Sequence, residues 1–124
     1  MACTSRRRIP NTPAAPAAAR RYVGEVLAGE RDEVVDLVAL MVSELATNCV
    51  LYADSDLTVS VEKKGRQLRV DVADDGAGTV TLRNPGSTEL TGRGLRIVEQ
   101  LSDKWGVCTR RGRDGKSVWF TVRS

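Results

Sequence analysis

"SELATNCVLYADSDLTVSVEKKGRQLRVDVADD", Ser43 to Asp75, changes its period part-way along. As far as Asp54 neither glycine nor proline interrupts it and the apolar residues recur at helical spacing. From Leu57 the period is two: Leu57, Val59 and Val61 alternate with Thr58, Ser60 and Glu62. After the Lys64-Gly65 turn, Leu68, Val70 and Val72 alternate with Arg69 and Asp71, which makes a strand hairpin.

Upstream, "RDEVVDLVAL" extends the same helix back to acidic residues in its first turn. Before it, "NTPAAPAAARRYVGEVLAGE" predicts a first helix, with Asn11 or Thr12 as candidate N-cap, Pro13 in the first turn and an end near Gly29. Residues 1–10 are either a short strand or a flexible arm. Downstream, Asp74 to Gly94 is rich in Gly, Pro, Asn, Ser and Thr and is longer than an ordinary connection, which points to a functional loop or lid. "LRIVEQLSD" is helical in spacing, and "WGVCTRR" with "KSVWFTVR" forms a second hairpin. Three helices and two hairpins predict an α+β two-layer sandwich, with the helices on one face of a mostly antiparallel sheet. The strand order is not legible. Trp105 and Trp119 are expected in the core.

The 124 residues, 41% hydrophobic and 28% charged, suit a single domain over 1–124. No apolar run approaches the length needed to cross a bilayer, and no apolar segment follows the charged N-terminus to make a secretory signal, so a cytoplasmic location is expected. Cys3, Cys49 and Cys108 have no paired metal-ligand spacing and read as reduced, mostly inert thiols. The net charge of +3 is small, and five aromatic residues offer no interleaving to stack bases, so no direct nucleic-acid partner is expected. The absence of histidine removes histidine general bases, Ser-His-Asp triads and phosphohistidine chemistry together.

At about 100° per residue, Glu44 and Asn48 lie within about 40° of each other, on the side of Leu37, Leu40, Met41 and Leu51. A carboxylate at the border of an apolar surface is costly unless something polar meets it. Either its alkyl part packs while its head reaches water, or the pair faces a polar ligand. "DDGAG", Asp74 to Gly78, leaves a buried strand directly; it is a turn, or a place where Asp74 accepts a hydrogen bond while Gly76 and Gly78 let backbone approach a flat ligand. "TGRGL", Thr91 to Leu95, sets Gly92 and Gly94 before a helix N-terminus, which is either a cap or an anion site to which Arg93 adds charge. Neither a Walker loop nor a dinucleotide fingerprint fits it.

Helical E-x-x-x-N, strand-terminal D-x-G-x-G, a lid and G-x-G-L before a helix together resemble the N, G1 and G2 boxes of the GHKL superfamily, over nearly the whole chain. Within it, "SELATN", "DDGAG", "GRGLRIVEQLSDKWGV" and "GKSVWF" look most like the small stand-alone members related to actinobacterial anti-sigma-factor serine/threonine kinases. The resemblance implies the Bergerat fold, a mixed sheet covered on one face by helices. It further implies ATP and Mg²⁺, with Asn48 holding the metal against the phosphates and Glu44 orienting or deprotonating the attacking hydroxyl. Asp74 would accept from the adenine amino group, Gly76 and Gly78 would admit the base, Gly92 and Gly94 would wrap the phosphates, and Thr91, Arg93 and Leu95 would belong to the same cofactor-binding set. Lys116 either approaches the nucleotide or is a solvated turn lysine. Two departures stand out: Leu51-Tyr52 replaces the Arg-His common after the N box, and Arg96 replaces a glycine common in histidine kinases.

The implied activity is that of an ATP-binding serine/threonine protein kinase, an anti-sigma-factor-like regulator whose partner is a sigma factor or a small anti-anti-sigma-like protein. The alternative is a non-catalytic nucleotide-gated protein-binding module. No membrane partner is expected, and regulators of this kind often form homodimers.

Overall fold

The computed structural model describes residues 3–53, 55–74, 94–109 and 116–124. Five strands make one sheet: β1 (Cys3–Ile9), β2 (Leu57–Lys64), β3 (Gln67–Asp74), β4 (Lys104–Thr109) and β5 (Lys116–Arg123). The helices are α1 (Ala15–Val26), α2 (Asp32–Tyr52) and α3, over 94–101. The sheet order is β1-β2-β3-β5-β4 and each described pairing is antiparallel, so the expected α+β sandwich stands and the mixed sheet reduces to an antiparallel one. Residues 3–9 form a strand and not an arm; β1 pairs with β2 from Cys3↔Lys63 to Ile9↔Leu57.

Strand alternation decides the layers. Leu57, Val59 and Val61 of β2, Leu68, Val70 and Val72 of β3, and Phe120 and Val122 of β5 are buried beneath the helices. α2 supplies Val34, Val38, Met41, Val42, Leu45, Ala46 and Cys49 to that core, and α1 supplies Ala15, Ala19, Tyr22 and Val23. The apolar arc of α2 is wider than its buried stripe. Leu40 is 45% and Leu51 54% exposed, so the side expected to be buried with them lies at the rim. That width also gives Asp32–Leu51 the length and mean hydropathy, 1.8, of a membrane-crossing helix, contrary to the sequence expectation; here the helix's buried side is spent on the domain core.

Asn11 does not cap α1. The α1 N-cap is Ala14, with no side-chain bond, and Pro16 sits in the first turn. Asn11 instead closes the other end of α2: its Nδ2 donates to the carbonyls of Cys49 (3.1 Å), Ala53 (3.1 Å) and Ser55 (2.9 Å), while its backbone N–H donates to Asp56 Oδ1 (3.3 Å). Helix-terminal carbonyls need such partners. Asn11→Ala is expected to destabilise the fold by about 1–3 kcal/mol, read as a lower urea midpoint at unchanged slope.

Two glycines permit tight reversals: Gly29, φ 99°, between α1 and α2, and Gly65, φ 60°, in the β2–β3 turn. On the sheet face away from the helices, Trp119 lies against Gly106 of β4, and the Arg69 guanidinium stacks 4.5 Å from its ring centroid. Trp105 packs against the core as expected, but Trp119 does not belong to it.

Candidate functional site

The site lies where the C-terminal part of α2 meets the Asp74 end of the sheet. Asp74, the final residue of β3, points to the helix side of the sheet by alternation with Val72 and Val70, and is only 4% exposed. Register sets it beside Lys116, the first residue of β5. Both are close enough to Cys49 of α2 to act on it electrostatically. Burial foremost, and then the negative charge of Asp74, push the Cys49 thiol up to about 12, with Lys116 pulling the other way.

Asn48 precedes Cys49 and is half-buried, as is Glu44 one turn earlier. The start of α3 closes over Asn48: a Cβ placed on Gly94 would stand 2.7 Å from Asn48 Nδ2, 3.5 Å from Cγ and 3.7 Å from Oδ1. A methyl group there would oblige the Asn48 amide or the start of α3 to move. Asn48 and Gly94, far apart in sequence, are thus close neighbours in space.

Of the expected site residues, Asn48, Gly94, Asp74 and Lys116 converge at this end of the sheet, with Glu44 one turn up α2. Leu95 is partly buried and packs against the core, so its contribution is to seat α3. Gly76, Gly78, Thr91, Gly92 and Arg93 lie outside the described residues. Among the described residues no three of Cys, Asp and Glu group as a metal cluster. A hard cation there would find one amide oxygen, that of Asn48, and would have to complete its shell from ligand phosphates and water.

A sequence model of the histidine kinase-like ATPase domain family matches residues 9–122. The chain belongs to that family. As a histidine kinase-like ATPase domain of GHKL type, it is an ATP-binding, kinase-like domain. No curated protein matches it. Among solved structures it is similar to the histidine kinase domain from the Erythrobacter litoralis EL346 blue-light activated histidine kinase, at 23% identity and a TM-score of 0.47. That match covers 93% of this chain and 61% of the other, so the chain spans less than two thirds of its length.

Cys49 is the residue of this ATPase domain's site that sequence reading undervalued. Its position after Asn48 on α2 was the available signal, since the helical turn carries it into the core, within electrostatic reach of Asp74 and Lys116. A thiol held protonated by burial does not react as a thiolate. Thiol titration of the native ATPase domain near neutral pH is therefore expected to modify exposed Cys3 and Cys108, with Cys49 reacting only after denaturation. Rapid native modification of Cys49 would contradict its placement.

Proposed function

We propose that this ATPase domain is an ATP-dependent serine/threonine protein kinase acting as an anti-sigma-like regulator in the cytoplasm. It binds a sigma factor or phosphorylates a serine or threonine of a small anti-anti-sigma-like protein. One observation carries the reading: Gly94 at the start of α3 presses on Asn48, with Glu44 one turn away and buried Asp74 at the adjoining strand end.

In this reading Asp74 accepts a hydrogen bond from the adenine amino group, in a buried place where an unpaired donor would be rejected. The N-terminal turn of α3 offers backbone N–H groups to phosphate oxygens. Asn48 would hold Mg²⁺, which when bound neutralises charge on the phosphates. Glu44 orients the substrate hydroxyl and takes its proton as the hydroxyl oxygen bonds to the γ-phosphorus; the bond to the β–γ bridging oxygen breaks and ADP leaves. Lys116 supplies positive charge at the base end, balancing Asp74.

Calorimetric titration with ATP and ADP, with and without Mg²⁺, tests the nucleotide part, and Glu44→Ala tests the transfer. The variant is expected to keep ATP affinity within about threefold and to lose on the order of 100-fold or more in single-turnover transfer. Unchanged binding and unchanged transfer would remove Glu44 from the mechanism. Exposed Leu40 and Leu51, on the Glu44 side of α2, suit contact with a protein and favour a second reading as well, a non-catalytic nucleotide-gated binding module. Partner affinity that follows nucleotide without any phosphate transfer would select it.

A further inference from the structure

Among the described residues the exposed large hydrophobic side chains are Leu40, Leu51 and Val107, and the first two stand on α2 either side of Glu44 in sequence. Helical geometry sets both to one side of it. At about 100° per residue, Leu40 and Leu51 lie about 40° and about 20° round the helix from Glu44 in one direction, and Asn48 lies about 40° away in the other. The two sides are covered differently. On the Asn48 side Leu37 packs against the core and the start of α3 approaches, whereas on the other side Leu40 and Leu51 meet solvent. Glu44 therefore stands between the residue assigned to the metal and phosphates and an open apolar strip.

The charge of the helix is a second, independent feature. α2 contains four carboxylates, Asp32, Glu33, Asp36 and Glu44, and neither lysine nor arginine, in a chain whose net charge is +3. Asp32 and Glu33 suit the first turn, where the helix dipole favours negative charge. Asp36 lies beyond that turn, exposed, one turn before Leu40 and on the same side of the helix. The strip is thus apolar and negative, and a protein segment with apolar and basic side chains complements it.

Resting on the phosphoryl-transfer reading of Glu44, we infer that this strip seats the protein segment that delivers the acceptor serine or threonine. The segment carries an apolar residue on each side of that hydroxyl and a basic residue beyond one of them. At about 1.5 Å per residue along the helix axis, Leu40 lies about 6 Å and Asp36 about 12 Å before Glu44, and Leu51 about 10.5 Å after it. An extended segment advances about 3.3 Å per residue, so its apolar residues fall about two and three positions from the acceptor and its basic residue about four. Burying Leu40 and Leu51 supplies affinity, and Asp36 sets the direction in which the segment lies.

The test is two-dimensional amide NMR of the full chain with Mg²⁺ and a non-hydrolysable ATP analogue, titrated with the acetylated and amidated peptides KALASAAL and its reverse, LAASALAK. One of them is expected to bind saturably, with shifts at Leu40, Glu44 and Leu51. The double change Leu40→Asn, Leu51→Asn should weaken that binding about fivefold or more while nucleotide affinity and the melting temperature are kept. Asp36→Lys should weaken it about fivefold and strengthen, to a similar degree, the peptide in which glutamate replaces lysine. A merely structural role for Asp36 would not produce that rescue. No saturable binding of either peptide, or binding that none of these variants alters, would overturn the docking site. Phosphate transfer from ATP to the same peptides separates this inference from the reading it rests on. Transfer indifferent to the peptide's leucines and lysine would keep the kinase and overturn the strip; binding at the strip without transfer would support the strip and overturn the kinase.

Discussion

Gly94→Ala is expected to reduce Mg²⁺-dependent nucleotide affinity by about tenfold or more, a loss of about 1.4 kcal/mol, with little effect on folding. The new Cβ would fall 2.7 Å from Asn48 Nδ2, closer than non-bonded atoms sit, so the amide must rotate or α3 must withdraw. On the proposed reading, rotation would turn the amide oxygen away from the metal and withdrawal would move the start of α3 away from the phosphates, so both would weaken the ligand more than the fold. Gly24→Ala is the matched control. It lies in the interior of α1 with nothing within 4 Å of an added Cβ, and is expected to stabilise by about 0.5–1 kcal/mol with nucleotide affinity unchanged. Titration calorimetry of the two variants separates local from global effects. Full magnesium-dependent affinity in Gly94→Ala would mean that Asn48 does not hold the metal.

Gly106→Val should be the most damaging single change outside the core, lowering stability by about 2–3 kcal/mol. A Cβ at this position meets three atoms of the Trp119 indole at 2.7–2.9 Å, and a rigid bicyclic ring cannot yield as the end of a lysine would. The ring is held from elsewhere too, since Arg69 stacks on it while its Nε donates to Asp71 (3.4 Å). Displacing it would therefore disturb β3, β4 and β5 together. Urea denaturation of Gly106→Val, Trp119→Leu and the double variant forms a cycle in which the double should recover part of the single loss. Strict additivity would show that the two side chains do not compete for the same space.

The helices and both hairpins were legible because each writes its own period into a short stretch, and the change of period after Asp54 needed no long-range information. The candidate site residues stood out for a similar reason: Glu44, Asn48, Asp74 and Gly94 each carry a local signature, and the fold brings them to one end of the sheet. What escaped was set by contacts between distant segments. Asn11 stands before one helix and within reach of the end of another, and only the folded chain selects the carbonyls of Cys49, Ala53 and Ser55 as its partners. Leu40 and Leu51 look like core by composition, yet the sheet beneath α2 covers only part of its apolar arc. Trp119 was expected inside; the missing side chain of Gly106, on a neighbouring strand, opens a place for it on the other face. The sheet order depends on which strands find one another, which no single strand encodes.

That order has a consequence for synthesis. β5 lies between β3 and β4, although it is made after both. A nascent chain halted before Lys116 would carry two strand edges whose backbone donors and acceptors have no neighbour, and the strand that brings Lys116 to Asp74 would not yet exist. Until β5 emerges from the ribosome, those edges are templates for pairing with another chain, and a stalled or prematurely terminated product of this gene should be prone to aggregate.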